Sequence, residues 1–359
     1  MQKSQIKKMW MKSILVILIV SASTIAQVTL PQVSPHQTVS HTIGLTEVNI
    51  DYHSPGVRGR TVWGGLVPYG MSPGVAFGSG NPFPWRAGAN ENTVISFSDD
   101  VKINGKDLPA GKYALFMIPG EKQFTIIFSK NYTSWGSFFY DEKEDVLRVP
   151  VTPVENPFTE WLTYDFENFT PNSADVYLAW EKLKIPFKVE IDLKATIVAS
   201  LRRELRSAPG FGWVGLNQAA NWCAQNNTNL DEALTWINRA ITRINNFATK
   251  QTKSRILSLL GRTKESEDVL ENAMTIATEA ELNAYGYQLM NQNNLDKAVE
   301  IFKKNVERFP DSWNVYDSLA ECYQKRGDNA NAKKLYEKAL KMAPENQHAR
   351  IKTALEQLK

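Results

Sequence analysis

The sequence predicts an all-β antiparallel sandwich or barrel-like domain followed by an all-α repeat solenoid. From Val39 to about Ile191, apolar and polar residues alternate with period two between turn residues, a pattern typical of β-strands. From Lys194 onwards the apolar residues recur at helical spacing, and Pro310 and Pro344 stand 34 residues apart. A chain of 359 residues exceeds what one hydrophobic core usually organises, so two domains are expected.

Residues 1–26 have the pattern of an export signal. A start rich in lysine is followed by the apolar run Ser13–Val20 and then by small residues that end at Ala26. The apolar run is shorter than the roughly 20 residues that a membrane-spanning helix needs. We expect cleavage before Gln27, no transmembrane anchor after cleavage, and a periplasmic or extracellular location.

The charge balance argues against nucleic acid as a partner. The formal net charge of the whole chain is +3, but four of its 41 basic residues lie in the predicted signal. Removing them leaves 37 Lys and Arg against 38 Asp and Glu. Binding to a phosphate backbone needs clustered, uncompensated basic residues, which this balance does not supply.

Residues 27–192 are predicted to form the β-rich domain, with about eight or nine short strands. Asn104-Gly105 is a strong two-residue hairpin signal after the strand Val101–Ile103, and Lys112–Ile118 is expected as the returning strand. Further strands are expected at residues 123–129, 146–152, 159–166, 175–180 and 185–191. Residues 55–89 are rich in Gly, Pro and Trp, so a long ordered loop that carries function is expected there.

The second half is predicted to be helical throughout. Residues 193–212 are interpreted as a helical linker, because Pro209-Gly210 interrupts the helical pattern. Residues 213–359 are expected to hold about four helix pairs, with a capping helix at 347–358. Small residues such as Ala298 and Ala332 recur one period apart and are expected to be buried where paired helices cross.

The two cysteines, Cys223 and Cys322, fall on the first helices of the first and last repeats. In a solenoid each repeat touches only its neighbours, so these residues are expected to be too far apart to form a disulfide. Two buried free thiols are predicted.

Residues of the helical half recur at matching places one period apart. They are Leu282, Tyr285, Gly286, Leu289, Ala298, Phe302 and Pro310, matched by Tyr316, Leu319, Ala320, Tyr323, Ala332, Tyr336 and Pro344. This pattern resembles the tetratricopeptide repeat. The resemblance implies a tetratricopeptide-repeat solenoid that binds a peptide or protein partner.

Several sequence blocks stand out in the front half, within about residues 31–151. They include Ser54-Pro55, Val57-Arg58-Gly59-Arg60, Gly65-Leu66-Val67-Pro68-Tyr69-Gly70, Trp85-Arg86-Ala87-Gly88-Ala89-Asn90-Glu91 and Gly105-Lys106-Asp107-Leu108-Pro109-Ala110-Gly111. In combination these blocks resemble an exported bacterial family known as domain of unknown function 2911. The resemblance implies export and assigns no activity.

A cluster of arginines and aromatic residues in this front half is the candidate ligand site. The planar guanidinium group suits a carboxylate, phosphate or sugar, and an aromatic ring can cover an apolar face of the ligand. The candidate residues are Arg58, Arg60, Trp85, Arg86, Asn90 and Glu91. The alternative is structural: the arginines pair with Glu91 or bind loop carbonyls and tie the long loop to the sandwich.

The candidate peptide groove lies on the first helices of the last two repeats. Its residues are those expected to face the concave side, namely Asn283, Tyr287, Asn291, Asn314, Asp317, Glu321 and Lys325. Amide side chains there can bond the backbone of an extended peptide. Asn291, Asn314 and Glu321 are expected to be exposed. The alternative is a solvated helix face.

These observations favour an exported interaction protein, whose repeats bind a peptide or protein and whose β domain binds a small anionic or sugar ligand. The motifs predict no catalytic residue, metal site or cofactor. The alternative is an envelope or extracellular hydrolase with its site in the Arg58 to Glu91 region, for which Asp51, Asp99 and Asp100 are further available carboxylates.

Overall fold

A computed structural model of the chain describes residues 30–76 and 78–358. The chain divides into two compact units between Ile191 and Asp192. The predicted export signal, residues 1–26, lies outside the described residues, so cleavage before Gln27 stays a prediction. Within the described residues, no helix is both long enough and apolar enough to cross a membrane.

The described part of the first unit is built from ten antiparallel strands in two sheets. The strands are β1 (His36–Ile43), β2 (Thr46–His53), β3 (Val94–Phe97), β4 (Val101–Ile103), β5 (Lys106–Leu108), β6 (Gly111–Ile118), β7 (Phe124–Ser129), β8 (Asp145–Val151), β9 (Val154–Thr170) and β10 (Ser173–Glu190). One sheet has the order β1-β2-β3-β6-β7-β8, and the other has the order β5-β4-β10-β9.

The two sheets pack face to face, which confirms the predicted sandwich. Tyr52 of β2 meets Tyr164 of β9 with ring centroids 4.9 Å apart, and Phe128 of β7 meets Phe187 of β10 at 5.9 Å. Along β2 buried residues alternate with partly or fully exposed ones, as expected for a strand with one face in a core.

Strand β6 is buried on both faces because a long loop covers the outer side of its sheet. Met71 and Phe83 of this loop pack against a small apolar cluster that includes Phe116 and Ile127. The loop is held closed by two backbone hydrogen bonds between Ser72 and Phe83, of 2.8 and 3.0 Å. The Gly- and Pro-rich segment is therefore ordered by apolar burial.

Two strand predictions were wrong in detail. Asn104-Gly105 does form a hairpin, but β4 returns as the short strand Lys106–Leu108, and residues 112–118 belong to β6 in the other sheet. The strands expected at 175–180 and 185–191 are one strand, β10, because a bulge with Glu181 at φ 55° absorbs the interruption without ending the pairing with β9.

The second unit contains ten described helices. They are α1 (Leu193–Glu204), α2 (Trp213–Gln225), α3 (Leu230–Arg243), α4 (Phe247–Leu259), α5 (Thr263–Ile276), α6 (Glu279–Asn291), α7 (Leu295–Arg308), α8 (Trp313–Lys325), α9 (Asn329–Met342) and α10 (Glu345–Glu356). Helices α2 to α9 form four antiparallel pairs, and α10 follows as a final helix that buries Ile351.

Residues 193–212, interpreted from sequence as a helical linker, belong to the second unit. Val198 and Leu205 are buried in one apolar cluster with residues of α2 and α3, such as Leu216 and Ile237. Asp192 caps α1 by accepting a hydrogen bond from the backbone N–H of Ala195. The segment therefore packs as the first helix of the helical unit.

Small residues lie where the paired helices cross. Ala220 and Ala233 in the first repeat, and Ala320 and Ala332 in the fourth, have no exposed surface. In the third repeat a Cβ atom at Gly286 would lie 2.5 Å from the ring of Phe302, so only glycine fits there. Close approach of the helix backbones leaves the larger side chains to fill the space between successive pairs.

The two cysteines are both buried and carry free thiols. Burial is the main cause that raises the pKa of each thiol above its ordinary value. A raised pKa disfavours the reactive thiolate.

Candidate functional site

A cavity of about 360 Å³ opens in the β unit. Its wall contains five of the six candidate residues, namely Arg58, Arg60, Trp85, Arg86 and Asn90. Trp180 of β10 and the N-terminal residues Val33 and Ser34 complete much of the wall. This cavity, hereafter the arginine pocket, contains no Asp or Glu among the described residues that line it.

Arg58 and Arg60 are oriented by backbone carbonyl groups. Nη2 of Arg58 donates to the carbonyl oxygen of Val33 at 2.7 Å. Arg60 donates from Nε to the carbonyl of Val57 at 3.0 Å and from Nη2 to that of Gly56 at 2.6 Å. These bonds use one edge of each guanidinium group, and among the described residues Nη1 of each arginine has no hydrogen-bond partner.

Arg86 packs against two aromatic rings. Its guanidinium carbon lies 5.2 Å from the ring centroid of Trp135 and 4.8 Å from that of Phe138, and Nη1 donates to the carbonyl oxygen of Asn90. Burial lowers the pKa of Arg86, and the nearby charge of Glu91 opposes this shift. The ordinary pKa of arginine lies far above neutral pH, so the group stays a cation in this half-buried place.

The floor of the arginine pocket is aromatic. Trp85 stacks on Trp180 with ring centroids 6.0 Å apart and planes 16° apart, and Trp63 meets Trp85 edge-on at 5.6 Å. Nε1 of Trp180 is buried and has no hydrogen-bond partner among the described residues. Buried indole N–H groups usually find an acceptor, so this donor is available beside the pocket.

The backbone around the arginine pocket is strained. Arg58, Ala87 and Asn90 have φ values of 53°, 50° and 56°, in the left-handed region that non-glycine residues rarely adopt. Such conformations cost on the order of 1–3 kcal/mol each and persist where the surroundings fix them. The carbonyl of Ala87 accepts hydrogen bonds from the hydroxyl groups of Tyr164 (2.9 Å) and Thr93 (3.1 Å), which holds it in place.

The sixth candidate, Glu91, does not line the arginine pocket. Its carboxylate lies 3.2 Å from Nδ1 of the buried His53. Burial lowers the pKa of His53; the charge of Glu91 opposes this shift, and His36 adds to it. The predicted pairing of an arginine with Glu91 is thus replaced by a pairing with histidine.

The other carboxylates considered for a hydrolase each bond a different group of the fold. Asp51 accepts a hydrogen bond from Thr38, Asp99 from Thr46, and Asp100 from the backbone N–H of Ala110. None of these three lines the arginine pocket. Within the described residues, no cluster of three or more His, Cys, Asp or Glu is placed to hold a metal ion.

In the helical unit, polar residues repeat on one face of the first helices. The fifth residue of α2, α4, α6 and α8 is Asn217, Gln251, Asn283 and Asp317, and the ninth is Asn221, Arg255, Tyr287 and Glu321. Neighbouring members touch, since Arg255 donates to Asn221 at 3.3 Å and Tyr287 to Glu321 at 2.7 Å. We call this set of eight residues the inner face.

Three members of the inner face carry buried oxygen atoms without a hydrogen bond. They are Oδ1 of Asn217, Oδ1 of Asn283 and Oδ1 of Asp317, each without a partner among the described residues. All three stand at the same helix position. A buried acceptor left unbonded costs roughly 1–3 kcal/mol, so a hydrogen-bond donor placed beside these three oxygen atoms would be stabilising.

Several predicted groove residues are buried or half-buried and bonded to neighbouring side chains. Asp317 is buried, and its Oδ2 accepts a hydrogen bond from Nη2 of Arg350 at 2.7 Å. Asn314 and Glu321 are half-buried rather than exposed, because Asn314 donates to Glu279 at 3.2 Å and Glu321 accepts from Tyr287. The expectation of exposure was therefore wrong for Asn314 and Glu321.

Asn291, at the C-terminal end of α6, is exposed as expected, and Lys325, at the C-terminal end of α8, is exposed as well. Nζ of Lys325 donates to the carbonyl oxygen of Met290 at 3.3 Å, which places it at the end of α6. Asn283 is half-buried and Tyr287 packs edge-on against Phe302 at 5.3 Å. The structure thus brings the groove candidates together along two neighbouring first helices.

Two groups of site residues were missed from sequence. Trp180 lines the arginine pocket but lies on a distant strand, and no motif marks it. Asn217, Asn221, Gln251 and Arg255 of the first two repeats were overlooked, although their spacing of four along each helix was visible. Aligning all four first helices, and not only the last two, would have found them.

Comparison with known proteins agrees with these two units. Residues 34–189 match the family model described as "Protein of unknown function (DUF2911)". Residues 289–358 match a tetratricopeptide-repeat model. No curated protein matches the chain.

Solved structures similar to this chain include repeat proteins. MamA residues 41 to the end from Desulfovibrio magneticus RS-1 is 14% identical, with 40% of this chain and 81% of that chain covered at a TM-score of 0.26. PilF of Pseudomonas aeruginosa is 15% identical, with 42% and 69% covered at a TM-score of 0.27. YrrB, described as a TPR protein with an unusual peptide-binding site, is 18% identical, with 45% and 87% covered at 0.26.

The family matches cover most of the β unit and the part of the helical unit that runs from the last three residues of α6 to the final helix. Both agree with the sequence resemblance, and the first extends through β10, beyond residue 151. Residues 34–189 therefore match the family of unknown function DUF2911, and residues 289–358 of the same chain match tetratricopeptide repeats.

Proposed function

We propose that this chain is an exported interaction protein with two binding sites. The inner face of the repeats binds an extended polypeptide, and the arginine pocket of the β domain binds a small anionic ligand such as a carboxylate, a phosphate or an acidic sugar. The tetratricopeptide-repeat match supports a role in binding a protein or peptide.

The observation that carries polypeptide binding is the set of three unbonded oxygen atoms at one helix position. Oδ1 of Asn217, Oδ1 of Asn283 and Oδ1 of Asp317 are acceptors that the fold leaves unused. An extended peptide offers backbone N–H donors at regular spacing, and a small side-chain rotation would turn these acceptors toward it. Each hydrogen bond so formed is worth about 0.5–1.5 kcal/mol, so several together give useful affinity.

The arginine pocket supports the second site. Three arginines line one cavity and no described carboxylate lines it with them, so an anion inside it would meet three guanidinium groups. Trp85 and Trp180 offer an aromatic floor against which an apolar ligand face can pack. Charge-assisted hydrogen bonds to guanidinium are among the stronger polar contacts, at about 1.5–3 kcal/mol each.

Export is supported by the sequence of residues 1–26. Expression of the full chain in a bacterium with an intact secretion pathway should give a product that begins at Gln27. Mass spectrometry of the secreted or periplasmic product measures this directly. A product that retains Met1 in the membrane fraction would contradict it.

Polypeptide binding is tested with the secreted protein and a library of fluorescent random dodecapeptides. The double variant Asn217→Ala with Asn283→Ala should keep the thermal stability of the wild type, since both amides lack an acceptor bond. It should bind the selected peptides at least about tenfold more weakly. The control is Asn238→Ala, because Asn238 is exposed on α3, outside the inner face. Equal binding by the double variant and the control would contradict the proposal.

Anion binding is tested by calorimetry with inorganic phosphate, acetate and galacturonate as probes. Arg60→Gln should weaken the tightest of these probes at least about tenfold, because it removes one cation from the pocket wall. The control is Lys122→Gln, since Lys122 is an exposed cation of the same unit outside the pocket. Equal weakening by both changes would indicate attraction to net charge rather than a site.

A further inference from the structure

The second and third repeats are separated by a cleft of about 250 Å³. Helices α4 and α5 form one side of it, and α6 with the start of α7 forms the other. The residues that carry the argument are Ser254, Arg255, Ser266, Tyr285, Gln288 and Lys297. We call this space the inter-repeat cleft.

The cleft lies where the second repeat lacks an aromatic ring that the third and fourth repeats carry. At the eighth residue of the second helix, the third and fourth repeats carry the buried rings of Phe302 and Tyr336, while α5 carries Leu270. The first helix is altered as well. Lys250 and Lys253 of α4 stand where α6 has Leu282 and Tyr285.

The apolar core of the helical unit is divided into two clusters near the cleft. One cluster of buried residues runs from Val198 to Ile256, and another runs from Phe247 to Ile351. At the helix crossing between α4 and α5, Ser254 and Ser266 replace the Ala or Gly of the other repeats and bond each other at 2.9 Å. The cleft volume of about 250 Å³ equals that of about eight water molecules, since each occupies roughly 30 Å³ in the liquid.

The chemistry of the cleft favours an anion. Arg255 and Lys297 are the charged residues among those that line it, and no Asp or Glu is among the described lining residues. Gln251, Gln288 and Gln292 add amide donors. The lining therefore has a net positive charge and many hydrogen-bond donors.

Two donor side chains of the cleft, Arg255 and Tyr285, are held in place by neighbouring residues. Nη1 of Arg255 is fixed by Oδ1 of Asn221 at 3.3 Å, and the ring of Tyr285 packs edge-on against Phe247 at 5.9 Å. The hydroxyl of Tyr285 makes no hydrogen bond with another described residue. Burial raises the pKa of Tyr285, so this hydroxyl keeps its proton and can donate it to an acceptor.

We infer that the inter-repeat cleft is a specificity pocket that takes one carboxylate of the bound polypeptide, from an Asp or Glu side chain or from the chain end. The cleft meets the inner face, because Gln251 and Arg255 belong to both. A peptide lying along the inner face would therefore pass the mouth of the cleft. This role rests on the proposed polypeptide binding by the inner face.

The test uses the full secreted protein and the random dodecapeptide library, made in two forms with a free or an amidated C-terminus. In the tightest peptide each Asp or Glu is replaced in turn by Asn or Gln. One replacement, or amidation of the chain end, should weaken binding to the wild type at least about tenfold. An effect of an internal residue assigns a side chain, and an effect of amidation assigns the chain end.

Two variants of the protein localise the effect. Arg255→Gln removes the fixed cation, and Ser258→Phe fills the mouth of the cleft from an exposed position on α4. In either variant the sensitivity to the lost carboxylate should fall below about twofold. Arg239→Gln is the matched control, since Arg239 is exposed on α3 outside the cleft, and it should keep the full tenfold effect.

The outcomes separate this inference from the proposed function. Peptides that depend on Asn217 and Asn283 but not on any carboxylate would overturn the cleft and leave polypeptide binding intact. A carboxylate effect that persists in both Arg255→Gln and Ser258→Phe would also overturn the cleft. A carboxylate effect lost in these two variants, with no dependence on Asn217 and Asn283, would support the cleft and refute the inner face. A library without any binder would overturn both.

Discussion

The arginine pocket and the inner face of the repeats are built in opposite ways. In the pocket, side chains from distant segments converge, and loop carbonyls already hold Arg58, Arg60 and Arg86. On the inner face, the side chains follow one helix position from repeat to repeat, and three acceptors stay unbonded. The pocket is therefore fixed by the fold, whereas the inner face depends on the identity of each residue at a repeated position.

This difference predicts which substitutions destabilise each region most. A substitution at a helix crossing disturbs the packing that positions the inner face. A substitution in the arginine pocket removes one of several hydrogen bonds. Asn217 and Asn283 of the inner face, whose Oδ1 atoms are unbonded, should themselves be nearly neutral for stability.

The largest expected effect is at a helix crossing. Ala332 has no exposed surface, so Ala332→Glu would bury an unpaired carboxylate or force the helices apart. We expect the free energy of unfolding to fall by about 3–5 kcal/mol, measured by denaturant unfolding. Ala330→Glu is the control, since Ala330 is exposed on the same helix and should change stability by less than about 0.5 kcal/mol. Similar losses in the two variants would show that the crossing is not closely packed.

The next prediction compares how much two arginines of the pocket contribute to the free energy of unfolding. Arg86 is half-buried and bonds the carbonyl of Asn90, so Arg86→Gln should cost about 1.5–3 kcal/mol of unfolding free energy. Arg58 is exposed, and Arg58→Gln should cost under about 1 kcal/mol. Thermal unfolding of the two variants in parallel measures the difference. Equal losses of stability would show that Arg58 and Arg86 contribute equally to the fold, which would contradict this prediction.

A smaller effect is expected at Gly286. Gly286→Ala would place a Cβ atom 2.5 Å from the ring of Phe302, and the ring must move. The overpacking costs about 1–3 kcal/mol, reduced by the roughly 1 kcal/mol that alanine gains over glycine in a helix. Denaturant unfolding should give a net loss, whereas Ser254→Ala at the equivalent place beside Leu270 should lose only its hydrogen bonds. A stabilised Gly286→Ala variant would contradict the packing described for the third repeat.

The smallest effect is the pH response of the β domain. Burial lowers the pKa of His53 below its ordinary value of 6.5, so the unfolded chain takes up the proton first as the pH falls. The stability that neutral His53 provides is full above pH 6.5 and is lost as the pH falls through the lower folded pKa. Between about pH 7.5 and pH 5.5 the wild type should therefore lose more thermal stability than His53→Gln. Parallel pH profiles would refute this role of His53.

Sequence alone predicted the two-part fold because both patterns are local. Alternation at β2 and the period between Pro310 and Pro344 are visible within short windows. The partner of β4 was mistaken because a strand as short as Lys106–Leu108 has almost no periodicity of its own. Of the pocket residues, five were found from one glycine-rich stretch, but Trp180 reaches the site through sheet pairing, which spacing does not encode.

On the inner face, spacing identified which residues share a side of the helix but not which are already bonded. Asn314 and Glu321 are tied by Glu279 and Tyr287 on the preceding first helix, a contact set by how closely the repeats stack. The inter-repeat cleft was visible in principle, since Leu270 in place of an aromatic ring is a local substitution. Its volume could only come from the packing around it.

Hydrogen exchange of the full protein, with and without a peptide selected from the random library, tests the central claim most directly. If the inner face binds polypeptide, backbone protection on peptide addition should concentrate in α2, α4, α6 and α8, with the β domain unchanged. The same peptide should give no added protection in the Asn217→Ala, Asn283→Ala variant at equal concentration. Protection confined to α3, α5, α7 and α9, or to the strands around the arginine pocket, would contradict the assignment of the inner face as the polypeptide site.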